Sequence, residues 1–497
     1  MSAVIQPTEE ARSLAREQLV AELRAVLPAD CVLSTEEDLR PYECDGLSAY
    51  RCLPGLVALP QNIEQARHVL KVCSARNVPV VARGAGTGLS GGALPLSHGV
   101  LLSLAKFSRI LEIDADNRTA TVEPGVRNAA ITTAAAPHGL YYAPDPSSQI
   151  IASIGGNVAE NAGGVHCLKY GLTVHNVLGL KFLTMDGELV EIGGKTLDMP
   201  GYDLLALMNG SEGMLGVIVE VTVKLTPKPA SAKCVLAAFD DIKRAGDAVA
   251  AVIASGFIPG GLEMMDTLAI RAAEDYLHAG YPTDAVAILL CELDGTVEEV
   301  DDGIAQVRAL LERKGATETR LARDDAERLK FWAGRKAAFP AVGRLSPDYY
   351  CMDGTIPRKH LASVLHQIGE LSKQYNLPVA NVFHAGDGNL HPLIMYDANK
   401  PGELERTEEL GGKILELCVE VGGTITGEHG VGVEKINQMC VQFTREELTQ
   451  FHALKAAFDP KGLLNPGKAV PTLHRCAEFG RMHVHAGALK FPDIERF

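Results

Sequence analysis

The segment NVFHAGDGNLHP sets His384 and His391 on either side of a Gly-Asp-Gly turn, and TGEHGVG sets Glu428 and His429 between Gly427 and Gly430. Two imidazoles and a carboxylate form a donor set suited to Zn²⁺, with a fourth position left open. The H-x₆-H spacing alone is a weak signal. It spans about two turns of a helix, and a strand–turn–strand also brings both rings together. A lone histidine is more often a core or surface residue than a ligand. Two of them joined through a glycine turn, with a Glu-His pair between glycines, are a far less casual arrangement and point to a metal.

Three glycine-rich stretches lie earlier in the chain. The first, RGAGTGLSGGA at 83–93, holds Arg83, Gly84, Gly86, Thr87, Gly88, Ser90, Gly91 and Gly92. Its backbone is free to take positive φ and to turn successive N–H groups toward phosphate oxygens. Taken alone, it reads equally as a flexible turn. It is not a Rossmann fingerprint, because Leu89 stands where a third glycine belongs and no helical pattern opens behind the loop. The second stretch, at 144–164, offers Pro144, Asp145, Ser148, Gly155, Gly156, Asn157, Asn161, Gly163 and Gly164. The third, GSEGMLGVIVEV from Gly210, offers Glu212, Gly213, Gly216 and Ile218. Three such stretches in one domain imply a large phosphate-bearing cofactor.

These residues need elements to hold them. Residues 63–77 repeat apolar positions at helical spacing and lead into a buried strand at 78–82. Further strands are expected at 99–104, 109–114 and 119–123. Pro227 and Pro229 close this alternation and mark a domain boundary. A strand (234–239), helix (241–255), strand (286–293) and helix (297–314) then describe an α+β unit on an antiparallel sheet. A strand near 349–355 and helices at 359–376 and 403–421 follow. The loop DPKGLLNPGK at 459–468 is expected to return to the first domain, with Asn465 near the seam. The expected division is therefore a cofactor-binding domain over 1–228, a cap carrying the substrate site over 229–458, and a returning segment over 459–497.

Composition narrows the function classes. The 497 residues suffice for two or three domains, and 46% hydrophobic with 22% charged residues is ordinary for a globular protein. A formal charge of −15 without any Lys/Arg run argues against a nucleic-acid partner. No apolar stretch reaches the about 18 residues of a membrane span, and the first twenty residues lack the pattern of a secretory signal. The 11 cysteines are scattered with no C-x-x-C pair, which fits a reducing cytoplasm and leaves no thiolate set for an iron–sulfur cluster within this chain. His474, Cys476, His483 and His485 form no closed tetrahedral set and read as packing or partner contacts.

RGAGTGLSGG, EPGV (residues 123–126), GGNVAENAGG and GSEGMLGVI resemble the flavin-binding half of the FAD-linked oxidases of the vanillyl-alcohol oxidase and p-cresol methylhydroxylase type. The resemblance implies an α+β fold, with a two-part FAD-binding domain and an α+β cap over the isoalloxazine ring. Some members attach FAD through a histidine in or near the first loop. None lies between Arg83 and Gly92, so noncovalent FAD is implied, with His98 just outside the loop. The H-x-G-D-G-N-x-H and G-E-H-G motifs are similar to those of the D-2-hydroxy-acid dehydrogenases. Carried over, His384, His391 and Glu428 hold a divalent metal, and His429 takes the substrate hydroxyl proton.

In FWAGRKAAFP, Arg335 and Lys336 are the cations, and Arg335 read unaided is an ordinary solvated helix residue. The same branch places its carboxylate-binding Arg there, a task that suits a bidentate guanidinium. Members acting on longer dicarboxylic acids use a lysine downstream, where this chain has Cys351; with Phe339 nearby, a small acid such as glycolate or D-lactate is implied. The resemblance runs through residues 41–51, 165–176, 339–358 and 470–480 and extends to the flavin subunits of bacterial glycolate oxidases, also called glycolate dehydrogenases. Such subunits work with a second flavin-type subunit and an iron–sulfur subunit, so membrane contact is expected only through partners. Two rivals stand beside glycolate oxidation: a dehydrogenase for D-lactate or another 2-hydroxy acid, and a zinc hydrolase built on His384, His391, Glu428 and His429. A non-catalytic electron-relay subunit is a weaker third.

Overall fold

The computed structural model describes residues 9–196 and 200–472. His474, Cys476, His483 and His485 lie outside the described residues. An N-terminal helix covers Glu9–Arg24. Helix Ile63–Arg76 forms where the apolar spacing predicts it. Asn62 accepts from the Gln65 N–H at 3.0 Å to cap its start, and Asn77, at φ 53°, ends it in the left-handed conformation. Ala66, Val69, Leu70 and Cys73 form its buried stripe.

That helix crosses over between parallel strands of a four-stranded sheet, ordered Val32–Leu33, Leu56–Ala58, Val100–Ser103, Val80–Arg83. The first glycine loop leaves the carboxyl end of Val80–Arg83, the usual place for a ligand crevice in such a sheet. A second, five-stranded antiparallel sheet runs Ile110–Asp114, Thr119–Val122, Val217–Lys224, Val177–Leu183, Leu189–Gly193. Helix Ile154–Glu160, from the second glycine stretch, packs on Val217–Lys224.

The third sheet has seven antiparallel strands, ordered Glu318–Leu321, Ser231–Phe239, Ala287–Gly295, Gly261–Asp266, Val379–His384, Asn389–Tyr396, Asp348–Cys351. It is buried on both faces. Val235, Ala237 and Phe239 join one core, under helices Ile242–Ala254, Val297–Arg313, Leu361–Tyr375 and Glu403–Glu420. Their neighbours Cys234, Leu236 and Ala238 join another, under Thr267–Leu277, Asp325–Lys336 and Ala338–Val342. Strands covered twice read as continuous apolar runs, without the alternation that marks a half-exposed strand. This is why Gly261–Asp266 and the hairpin Val379–His384/Asn389–Tyr396 are missing from the expected elements. The strand expected over 349–355 ends at Cys351, because Asp353 turns away to hold another loop.

The chain then comes back. The Val80 N–H donates to the Leu463 carbonyl and the Asn465 N–H donates to the Val80 carbonyl, both at 2.8 Å, extending the first sheet at its edge. Leu464 is buried there among Leu70, Val80 and Val81. Among the described residues no helix is long and apolar enough to cross a membrane. Leu464→Ala is expected to cost about 2–5 kcal/mol, the range for an emptied core position. Denaturant unfolding of the purified protein measures it, and a loss well under about 1 kcal/mol means the returning segment does not brace the sheet.

Candidate active site

A cavity of about 450 Å³ lies between the glycine loops and the seven-stranded sheet. Arg83, Gly84, Gly86, Thr87, Gly88 and Gly92 line it from the first loop; Ser148, Gly155, Gly156 and Asn157 from the second stretch; Glu212, Gly213, Gly216 and Ile218 from the third. Lys336, Phe339, Tyr349, Glu428 and His429 close its far end. Ser90, Gly91, Pro144, Asp145, Asn161, Gly163 and Gly164 do not line the cavity but shape what does. The Ser90 carbonyl accepts from the Val433 and Glu434 N–H groups at 3.0 and 3.1 Å. The Pro144 carbonyl accepts from Asn128, and the Asn161 side chain accepts from the Val174 N–H. A Cβ on Gly163 would run into Glu428 Oε2, one on Gly91 into Val433, and one on Gly164 into the Asp145 backbone.

Cavity-lining residues also supply polar atoms with nothing to bond. Ser153 Oγ, Asn157 Nδ2 and Glu160 Oε2 are buried with no hydrogen-bond partner among the described residues. Burial and the nearby Glu212 push the Glu160 carboxyl well above the ordinary range. Buried groups of this kind need partners. A bound molecule rich in phosphate and heterocycle acceptors supplies them, and the residues present therefore fit a dinucleotide-sized cofactor.

At the far end the two histidines come from adjacent strands. Val382 pairs with His391 across the hairpin and His384 lies two residues on, so both imidazoles share a face. His384 Nε2 and His391 Nε2 converge on Glu428 Oε1 at 3.2 and 2.9 Å. Glu263 takes the other nitrogen of His384, Nδ1, at 2.8 Å, which aims Nε2 at the site, as carboxylates behind metal-binding histidines do. The imidazoles outweigh burial and hold the Glu428 carboxyl well below its ordinary range. These three donors fit a divalent cation. Cys351, His391 and His429 form an overlapping trio of possible donors.

The G-E-H-G loop is shaped by a residue the sequence did not single out. Buried Asp353 accepts from Thr426 Oγ1 at 2.6 Å and from the N–H groups of Gly427, Glu428 and His429 at 3.0, 3.2 and 2.9 Å. From the other side Glu212 accepts from the Val431 and Gly432 N–H groups at 2.7 and 2.6 Å. His429 stacks on His391 with ring centroids 5.1 Å apart, and burial pushes its imidazole down to about 4. A neutral ring at the cavity wall is a proton acceptor.

Arg335 is not solvated. It is 1% exposed, and its Nη2 lies 2.6 Å from Glu263 Oε2, so one carboxylate steadies both this guanidinium and His384. Its Nε and Nη1 have no hydrogen-bond partner among the described residues. Its helix, Asp325–Lys336, rests on a charged rail. Arg328 and Trp332 donate to Glu292 at 3.0 and 2.5 Å, His166 stands between Glu292 (3.6 Å) and Asp145 (2.9 Å), and Lys336 lies 3.3 Å from Asp145. Burial opposes charge on His166, but the two carboxylates outweigh it and raise the ring to about 10. Glu263 and Glu292 escaped the sequence reading; each is an acid with apolar neighbours on both sides in its strand, GLEMMD and AILLCELDG, the one signal that could have marked them.

Residues 54–193 match the FAD binding domain family and residues 228–469 match the FAD linked oxidases, C-terminal domain. The chain belongs to the FAD-linked oxidases. It is 66% identical over 482 residues to the glycolate oxidase subunit GlcD of Escherichia coli strain K12, covering 97% of each chain. To the GlcD subunit of Bacillus subtilis strain 168 it is 40% identical, over 86% of this chain and 91% of that one. A D-lactate dehydrogenase of Archaeoglobus fulgidus is 34% identical over 84% of this chain and 92% of its own length. Within the FAD-linked oxidases the chain thus falls in the GlcD branch. The fold is also that of p-cresol methylhydroxylase with substrate bound, at a TM-score of 0.77 and 18% identity over 92% of this chain and 97% of that one.

The His166 geometry has a pH signature. A raised pKa in the folded protein gives stability that is fully present below the ordinary imidazole value, about 6.5, and is lost as pH rises through about 10. His166→Gln is therefore expected to lower Tm most near pH about 6 and progressively less toward pH about 10. A gap between variant and parent that does not narrow with pH contradicts a charged His166.

Proposed function

We propose that this protein oxidises glycolate to glyoxylate with noncovalently bound FAD and passes the electrons to partner subunits. The observation that carries the reading is one cavity with glycine loops at one end and His429, Glu428 and Lys336 at the other. Bound FAD, held by the glycine loops, would supply the acceptor for the C2 hydride. The rest falls to side chains. Neutral His429 takes the hydroxyl proton, and Arg335, with unpartnered donors beside the His384–Glu263 pair, holds the carboxylate. His384, His391 and Glu428 would hold a divalent metal, Zn²⁺ by the chemistry of the set, that lowers the pKa of the substrate hydroxyl and orients it. The first loop contains no histidine, and exposed His98 does not line the cavity, which supports noncovalent attachment.

The division into a flavin domain (1–228), cap (229–458) and returning segment (459–497) belongs to the same reading. So does a cytoplasmic complex with a second flavin-type subunit and an iron–sulfur subunit, reaching a membrane only through them. Support comes from the GlcD relatives, which are named as subunits. D-Lactate is the second reading, favoured by the Archaeoglobus relative at lower identity. A hydrolase or a non-catalytic relay has little ground in a chain of the FAD-linked oxidases.

Anaerobic glycolate is expected to bleach the flavin band near about 450 nm faster than D-lactate or D-2-hydroxyglutarate. Bleaching by another acid alone changes the substrate; a protein that takes up no FAD defeats the reading. His429→Ala is expected to lower kcat by about 100-fold or more, and Arg335→Ala mainly to raise KM. Equal, mild effects of both on a stable protein would overturn these roles. Metal analysis should find about one divalent ion per chain in the parent and far less in His391→Ala.

A further inference from the structure

Neighbouring cations on helix Asp325–Lys336 face different surroundings. Arg335 turns one nitrogen to Glu263 and keeps Nε and Nη1 without a partner among the described residues, whereas Lys336 lines the cavity beside Phe339, Pro340, Glu428 and His429, with its side chain 32% exposed. Its ion pair among the described residues is with Asp145 at 3.3 Å, longer than the ~2.7–2.9 Å of a tight charge-assisted bond. Asp145 has firmer partners. His166 gives it a backbone N–H at 3.2 Å and a ring nitrogen at 2.9 Å.

The charges also balance without Lys336. Buried Asp145 and Glu292 are answered by the His166 ring, which the two carboxylates keep protonated, and by Arg328, which also reaches exposed Asp325. Lys336 is therefore a surplus ammonium on a loose tether, with donors to spare. Phe339 and Pro340 beside it offer no side-chain acceptor. It stands at the end of the cavity where the base lies, in a protein whose formal charge of −15 would otherwise repel an anion.

We propose that Lys336 moves from Asp145 to the substrate carboxylate and, with Arg335, forms a two-cation grip that selects 2-hydroxy acids over neutral 2-hydroxy compounds. The proposal rests on the cavity being a 2-hydroxy-acid site. A carboxylate has about four lone-pair positions, enough for a guanidinium fork and an ammonium together.

The test uses FAD-loaded protein and oxalate, a carboxylate that carries no C2 hydrogen to give up, titrated by its perturbation of the flavin spectrum. Lys336→Met and Lys336→Gln, the second of which keeps a hydrogen bond to Asp145, are expected to weaken oxalate binding and raise KM for glycolate by about 10–100-fold. In both, kcat should change by less than about threefold. Lys336→Arg should recover most of the loss, and the preference for glycolate over glycolamide should fall in step with KM. Unchanged oxalate Kd and glycolate KM in a variant whose parent responds normally overturn the proposal alone. A shifted flavin reduction potential with unchanged oxalate Kd overturns it too, by assigning the ammonium to the flavin. A parent that neither binds oxalate nor is reduced by any 2-hydroxy acid removes the underlying reading as well.

Discussion

The backbone of residues 426–432 is gripped from both sides by buried carboxylates, and the rest of the site depends on that grip. Asp353 reaches it from the seven-stranded sheet, and Glu212 from the third glycine stretch. A carboxylate removed from water is costly unless donors replace the water. Here the donors are consecutive backbone N–H groups, which the loop has free because it belongs to no helix or strand. The exchange satisfies both parties and leaves the Glu428 and His429 side chains with one direction in which to point. It also ties the third glycine stretch to the end of the seven-stranded sheet.

A second carboxylate, Glu263, does the same at the far end of the cavity. One oxygen aims His384 and the other holds Arg335, so the imidazole and the guanidinium keep a fixed separation. Because strand Gly261–Asp266 sits centrally in the sheet, neither partner shifts without disturbing paired backbone on both sides. The site is thus built on paired strands. Positioning of this kind is what hydride and proton transfer from one small molecule require.

Much of this was legible in the residues. The glycine stretches, H-x-G-D-G-N-x-H and G-E-H-G announced a cofactor and a metal-type donor set, because their chemistry is carried by local spacing. Helix Ile63–Arg76 was legible for the same reason: its caps and stripe are local. The supporting carboxylates were not. Glu263, Glu292 and Asp353 act across 121, 126 and 76 residues of chain, on His384, His166 and His429, and nothing near them in sequence reveals those partners. The hairpin bearing His384 and His391 was missed because strands buried on both faces lose the alternation that identifies them. Ser90, Gly91, Asn161 and Gly163 show a different confusion. Their motifs are as glycine-rich as the cavity wall, yet they serve turns and close packing behind it.

The return of the chain to Val80 bears on how the protein is made. Strand Val80–Arg83 leaves the ribosome hundreds of residues before Leu464, so its outer edge waits unpaired while the whole cap is synthesised. The waiting does not end at the edge. Asn465 and Lys468 donate to the Gly92 carbonyl, and Asn465 also to that of Glu212, so two of the glycine loops acquire their final supports last. Domains generally fold as units in the order of synthesis, but here the first sheet is completed by residues made after the third. A product interrupted before Leu464 carries its glycine loops without the residues that brace them.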